Sequence, residues 1–364
     1  MANTISVVFL IYIVTNLPMA SRILVVSPAW LGDIIMCQSL LKTLKHQDPS
    51  CVITMYAPSY AHCIIDRMSE VDEILENPFA HGQFDLSGRI QEGKKLKALN
   101  FDKAYVLPNS FKSALIPWFA NIKERIGLKG ESRYLLLNKM RKDKNSFARM
   151  VNRYVALAYV DDPCVKDDST LPSFDYPSLI THKPSDELLA RLKISLDRPL
   201  LVLGCGANYG PAKLWPPEYF AQLSLHFINQ NWSILALGSA KDKETVNAIK
   251  EHIKAQSADA LEYFYDIAGQ TSLTEALDLV GACSAGVCND SGLMHTLAAA
   301  NVPQACIFGS TSTKYTPPLS DKAVCVESTQ PCHPCFKRTC QYNTYACLKE
   351  LTVEKVINAL NSVL

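Results

Sequence analysis

In SPAWLGDIIMCQSLLKTL, Ser27 to Leu44, the apolar run Arg22-Ile-Leu-Val-Val26 is followed by a glycine and then by Asp33 at the head of an apolar-faced helix. A carboxylate there serves as an N-cap for the free N–H groups of the first turn. Facing a substrate hydroxyl, it also serves as a proton acceptor. Ser or Asn would cap as well, so capping alone does not require an acid. In GCGANYGPAKLWPPEYF, residues 204–220, Gly204, Gly206 and Gly210 permit close backbone approach to a ligand, and Lys213 sets a mobile point charge beside it. The spacing is neither G-x-G-x-x-G nor a P-loop, which argues against a nicotinamide site or a nucleoside triphosphatase. The plain alternative for Lys213 is a surface lysine.

A third constellation is VCNDSGLMHTLAAANVP, Val287 to Pro303, where a short strand ends at Asn289-Asp290 and Ser291-Gly292 opens a helix carrying His295. Backbone N–H groups at such a helix start suit a diphosphate, with a hydroxyl from Ser291 and room left by Gly292. Asp290 suits a ribose or sugar hydroxyl. The plain alternative is capping by Asp290 or Ser291, with His295 satisfied in the core. No two aspartates are separated by one residue, so no D-x-D metal clamp is present. Charge on a departing diphosphate then falls to Lys213 and helix N-termini, and no cofactor is expected. Near the C-terminus Cys332, Cys335, Cys340 and Cys347 follow a C-x2-C-x4-C-x6-C spacing open to zinc or an iron–sulfur centre. No second C-x-x-C pair completes a ribbon, and the expectation is no metal.

Parallel sheets position such loops at the carboxyl ends of their strands. RILVV, CVITMYAP and KAYVLP alternate with helical patterns in the first half. The helix after Asp33 shows Cys37, Leu40, Leu41 and Leu44 on one stripe. Between about Asp161 and Pro199 the texture turns to proline, aspartate and serine, a domain junction. A second series then runs through PLLVLG, SILALG, YFYDIAG, AGVCND and QACIFG. The pattern predicts an α/β protein of two Rossmann-like, doubly wound domains facing across a cleft. The divisions are an extension over 1–20, a first domain over 21–180 and a second, with the cysteine-rich tail, over 181–364.

At 364 residues, with 48% hydrophobic and 20% charged residues and a net charge of +1, the composition excludes a wholesale basic nucleic-acid binder. Charge is local instead: Asn121 to Arg153 carries ten Lys and Arg against Glu124, Glu131 and Asp143. That segment faces an anionic acceptor or membrane surface, or is a solvated helical face. The thirteen cysteines fit reduced thiols in a cytosolic protein. Ile5 to Val14 is apolar but half the roughly 20 residues a span needs, and no positive charge precedes it as a secretory signal would require. The expectation is an over-extended start ahead of Met19, with a weak membrane anchor as the rival.

With these constellations in view, the chain resembles the bacterial lipopolysaccharide heptosyltransferases. The resemblance covers Arg22 to the C-terminus and rests on PAWLGDIIMCQSL, LPNSFKSALIPWFA (107–120), GANYGPAKLWPPEYF, CNDSGLMHTLAAA and PCHPCFKRTC (331–340). It implies a GT-B architecture and a cytoplasmic enzyme peripheral to the inner membrane. The reaction it implies is inverting transfer of L-glycero-D-manno-heptose from ADP-heptose to the first heptose of the inner core on Kdo2–lipid A. On that resemblance Asp33 is the base, Lys213 contacts the donor phosphates, and Asp290, Ser291, Gly292 and His295 bind the donor. Thr271 falls where the family lines its adenine pocket. Ala207 and Asn208 are donor-binding positions on the same resemblance, standing where the first heptosyltransferase has a Thr-Thr pair whose hydroxyls would contact phosphate. Lys112, Arg125 and Arg133 are the acceptor-side cations. Transfer at another inner-core position and, in a different class, a nucleotide-dependent oxidoreductase are the alternatives.

Overall fold

The computed structural model describes residues 20–80 and 82–364; the Ile5–Val14 run and the position of the true start lie outside the described residues. Strands β1 (Arg22–Val26), β2 (Val52–Ala57), β3 (Glu73–Glu76), β4 (Lys103–Val106), β5 (Glu124–Leu128) and β6 (Lys139–Arg141) form one sheet in the order β3-β2-β1-β4-β5-β6. Strands β7 (Leu200–Gly204), β8 (Ser233–Ala236), β9 (Phe264–Asp266), β10 (Ala285–Asn289), β11 (Gln304–Phe308) and β12 (Ala323–Glu327) form a second, ordered β12-β11-β10-β7-β8-β9. Every pairing in both is parallel.

Each sheet therefore has its order reversal beside its first strand, between β1 and β4 and between β7 and β10. A crevice opens at such a reversal because successive connections leave to opposite faces. The central strands are buried along nearly their whole length, as strands covered on both faces must be. Among the described residues no helix is long and apolar enough to cross a membrane.

The loop after β1 leads into the helix Leu31–Gln47. Its burial is wider than the single stripe expected from the sequence, taking in Ile34 to Leu41, Thr43 and Leu44. The helix Met150–Val155 packs on it from the same half and the helix Gly292–Ala299 from the other half. Its N-cap is Trp30, without a side-chain capping bond, and Asp33 is the third helical residue, so the capping role expected for Asp33 is not the one it has.

The segment Asn121–Arg153 is not a helical face: it forms β5, a loop, β6 and the entry to the helix Met150–Val155. The proline-rich stretch crosses between the sheets, where the Leu179 N–H donates to the Ala299 carbonyl at 2.9 Å and Gln38 Nε2 to the Ser178 carbonyl at 2.7 Å. Arg67 of the first half pairs with Asp278 of the second at 3.0 Å, both largely buried.

Candidate active site

Four loops meet where the two order reversals face each other. From the first half come the loop after β1, the loop after β2 with Tyr60, and Met150 at the start of the helix Met150–Val155; from the second come the glycine loop after β7 and the Asp290-Ser291-Gly292 turn after β10. They enclose a cavity of about 780 Å³, lined from one side by Trp30, Gly32 and Asp33 and from the other by Ala207, Asn208, Lys213, Asp290, Ser291, Gly292 and His295. A second cavity, of about 870 Å³, lies within the first half among the loops after β1, β3 and β4. Ala29, Trp30, Asp33, Tyr60 and Met150 line both, so Asp33 stands on the wall the two cavities share.

Burial pushes the Asp33 carboxyl up from 3.8 to about 6, and no neighbouring charge or hydrogen bond offsets it. A carboxylate with that proton affinity is matched to accepting a proton near neutral pH. The backbone before it is crowded: a Cβ on Gly32 would lie 2.6 Å from Cδ2 of His295, so the imidazole from the second half packs directly on the turn that carries Asp33. Burial lowers the His295 imidazole to about 4, opposed by Asp290 and reinforced by Lys213, and it is neutral at physiological pH.

Lys213 is not the free point charge read from the sequence. Its ammonium lies 2.5 Å from Oδ2 of Asp290 and 3.2 Å from the Asp290 carbonyl, and 4.8 Å from the centre of the Tyr209 ring. The same Oδ2 accepts a hydrogen bond from the Thr311 hydroxyl at 2.5 Å. Asp290, expected to meet a ribose or sugar hydroxyl, thus has one oxygen committed to holding Lys213 against the start of the Gly292–Ala299 helix. Ser291 occupies that helix's N-cap position in extended backbone, but its side chain makes no capping bond. Ser291 and Gly292 line the cavity, so the helix start borders it with its first-turn N–H groups free of any side-chain cap, the arrangement that binds anions.

Buried Asn289 braces this half of the site by accepting from Trp215 N–H at 3.2 Å and donating to the Cys205 carbonyl at 2.8 Å. Gly204 and Gly206 line the cavity, and the loop's glycines also make room for protein: a Cβ at Gly206 would sit 2.1 Å from Oδ1 of Asp242, and one at Gly210, at φ +149°, would sit 2.6 Å from the Arg338 carbonyl.

Several expected residues are placed elsewhere. Thr271 lines neither cavity; it precedes the Ser272–Glu275 capping box of the helix Leu273–Gly281. Arg133 is 0% exposed, donating to the carbonyls of Pro108 and Leu128, each at 2.6 Å, and to Asn109 Oδ1 at 3.1 Å. Arg125 donates to the carbonyls of Leu136 and Ile122. Both arginines staple loops together because a guanidinium satisfies several carbonyls at once. Lys112, in contrast, lines the second cavity.

The tail thiols are free; burial and the charges of Cys332, Cys335 and Cys340 raise the Cys347 thiol, and backbone N–H groups lower that of Cys340. Among the described residues no group of three or more His, Cys, Asp or Glu is placed to hold a metal ion. The tail loop instead walls the first cavity: Phe336 lines it and its carbonyl accepts from the Tyr209 hydroxyl at 2.6 Å. Thr311, Asp242 and Phe336 escaped the sequence reading. Phe336 stands inside the PCHPCFKRTC motif without having been singled out, and Thr311 had a local signal in the polar GSTST run directly after the apolar β11.

The model of glycosyltransferase family 9 (heptosyltransferase) matches residues 89–346. Lipopolysaccharide heptosyltransferase 2 of Salmonella typhimurium is 39% identical over 346 residues, covering 94% of this chain and 98% of the relative. Lipooligosaccharide heptosyltransferase 2 of Haemophilus influenzae is 42% identical over 314 residues, covering 84% and 88% respectively. The solved structure of ADP-heptose lps heptosyltransferase II from E. coli superposes with a TM-score of 0.82 at 36% identity, covering 94% of this chain and 98% of that one.

Proposed function

The chain belongs to glycosyltransferase family 9, the heptosyltransferases, and from that premise we propose that it transfers a heptose from ADP-heptose to the first heptose of the lipopolysaccharide inner core, with inversion. The observation that carries this reading is the position of Asp33 on the wall between two cavities, one of which ends on Lys213 and a helix start. The donor lies in the first cavity with its diphosphate toward Lys213, Ser291 and the N–H groups behind Gly292. The acceptor sugar enters the second cavity beside Lys112, which meets a phosphate or carboxylate of the core.

Asp33 accepts the proton of the attacking hydroxyl while that oxygen bonds to the anomeric carbon and the bond to the diphosphate breaks. ADP leaves with its added negative charge held by Lys213 and the helix N-terminus. Because Asp290 and Thr311 fix Lys213 before any ligand arrives, little reorganisation accompanies that charge development. No metal takes part in this reading. The amphiphilic acceptor places the enzyme at the cytoplasmic face of the inner membrane.

Matched relatives named heptosyltransferase 2 favour this acceptor over other core positions, and the family match leaves no support for the oxidoreductase alternative. The test is purified protein, ADP-heptose and core acceptors carrying zero, one or two heptoses. Product is expected only from the one-heptose acceptor; equal turnover of the heptose-free acceptor would overturn the assignment.

A further inference from the structure

The loops that leave the carboxyl edge of the first sheet around the second cavity expose large apolar side chains. Phe84 and Leu86 follow β3, Phe111 follows β4, and Tyr134 and Leu135 follow β5. Leu135 is 86% exposed and Tyr134 57%. A leucine left that bare is ordinary when isolated, but several around one opening mark a contact surface.

These side chains stand on loops held rigidly to each other. Arg133, directly before Tyr134, donates to the Pro108 carbonyl and to Asn109, and Glu131 Oε2 accepts the Phe111 N–H at 2.6 Å. Across the opening, Arg89 donates to the Lys112 carbonyl at 3.1 Å and to the Gln83 carbonyl at 3.0 Å, tying the Phe84 loop to the Phe111 loop. Of the rim's acids, Glu131 accepts the Phe111 N–H and Asp85, as an N-cap, accepts the Gly88 N–H at 2.9 Å. The cations are left outward. Lys129 is exposed beside exposed Lys142, since the Lys129 N–H donates to the Arg141 carbonyl at 2.8 Å, and Lys112 lines the cavity behind them.

We propose that this rim, Phe84, Leu86, Phe111, Tyr134 and Leu135 with Lys129 and Lys142, is the surface by which the protein docks on an anionic bilayer. The proposal rests on the reading that the second cavity receives the sugar of a lipid-linked acceptor. Two observations commit the face to that occupant. The apolar side chains stand on loops whose neighbouring residues Gly82, Ser110, Lys112 and Glu131 line the cavity that would take the polar head of an amphiphile, so its hydrocarbon end would emerge on that side. Exposed Lys129 and Lys142, with Lys112 on the cavity behind them, supply the positive charge that draws anionic headgroups.

The experiment is flotation of the full chain with vesicles of phosphatidylethanolamine containing about one quarter phosphatidylglycerol, and with neutral phosphatidylcholine vesicles. Wild type is expected to float with the anionic vesicles, and the double substitution Tyr134→Ser/Leu135→Ser to bind them about tenfold to a hundredfold more weakly with an unchanged melting temperature. Leu196→Ser, an exposed leucine of the second half, serves as the control and is expected to bind as wild type. In transfer assays the double variant should lose kcat/KM by a similar factor on vesicle-embedded acceptor and keep it on delipidated core oligosaccharide. Wild-type flotation by the double variant would overturn the proposal, as would equal binding to both vesicle types or a wild-type dimer that the double substitution dissociates. Flotation needs no ADP-heptose, so absence of transfer from wild type on either acceptor would refute the assigned reaction and leave the docking result standing.

Discussion

Replacing Asp33 by Asn should make the protein more stable and nearly inactive, and both effects follow from one number. The Asp33 carboxyl is raised from 3.8 to about 6 by burial alone, a difference of about two pKa units at about 1.4 kcal/mol each. In the folded protein it holds its proton to a higher pH than in the unfolded chain. The stability linked to that proton is therefore fully present below about pH 4, declines as pH rises through 6, and is absent above. At pH 7.5 the folded state bears up to about 3 kcal/mol for keeping this charge desolvated, and Asn, which has none, removes that cost.

Melting Asp33→Asn and wild type side by side at pH 7.5 and pH 4 should show the variant higher by several degrees at pH 7.5 and level at pH 4. Turnover with ADP-heptose should fall by about 10²–10⁴ while ADP binding is kept, and wild-type kcat/KM should drop as pH falls through about 6. A variant that melts below wild type at pH 7.5, or by the same margin at both pH values, would refute the desolvation argument. Near wild-type turnover would remove Asp33 from the chemistry.

Lys213→Met leaves Asp290 buried without its ammonium, so the protein should lose about 3–5 kcal/mol of stability in denaturant unfolding and bind ADP more weakly. Adding Asp290→Asn should recover most of the stability and none of the ADP affinity measured by calorimetry. Lys112→Ala should raise the acceptor KM about tenfold at unchanged stability, whereas Arg133→Met, which orphans the carbonyls of Pro108 and Leu128, should cost about 2–4 kcal/mol in unfolding and leave the acceptor KM of the folded fraction alone. Gly32→Ala puts a methyl 2.6 Å from Cδ2 of His295, and should lower kcat by about tenfold or more through displacement of Asp33; His295→Ala in the same chain should restore part of it.

How far the sequence reveals this architecture depends on where each strand lies. β1, β2, β4, β7, β10 and β11 are apolar runs because both faces are covered, and each is visible as such. β3, Glu-Ile-Leu-Glu, and β5, Glu-Arg-Ile-Gly-Leu, carry charge toward or along a sheet margin, and half-exposed β12 has no fully buried position, so none shows the pattern of a buried strand. The basic segment misled for a related reason: a lysine or arginine count carries no direction, and Arg125, Arg133 and Arg141 turn inward to satisfy carbonyls.

The site shows the same limit more sharply. Asp33 and Asp290 both follow an apolar strand at an order reversal, and both precede or open a helix, so local sequence assigns them the same candidate roles. Their difference comes from partners distant in sequence. Lys213, 77 residues before Asp290, and Thr311, 21 residues after it, converge on one oxygen and make Asp290 a brace. Asp33 has the packing of Gly32 against His295 behind it and the two cavities before it, and no cation or hydrogen bond offsets its burial, so its proton affinity rises. Two aspartates in like positions are thus set apart, one paired and one with its burial uncompensated, by what the tertiary fold brings to each. In the reaction proposed above, that separation would let one cleft stabilise a departing diphosphate while it activates a hydroxyl.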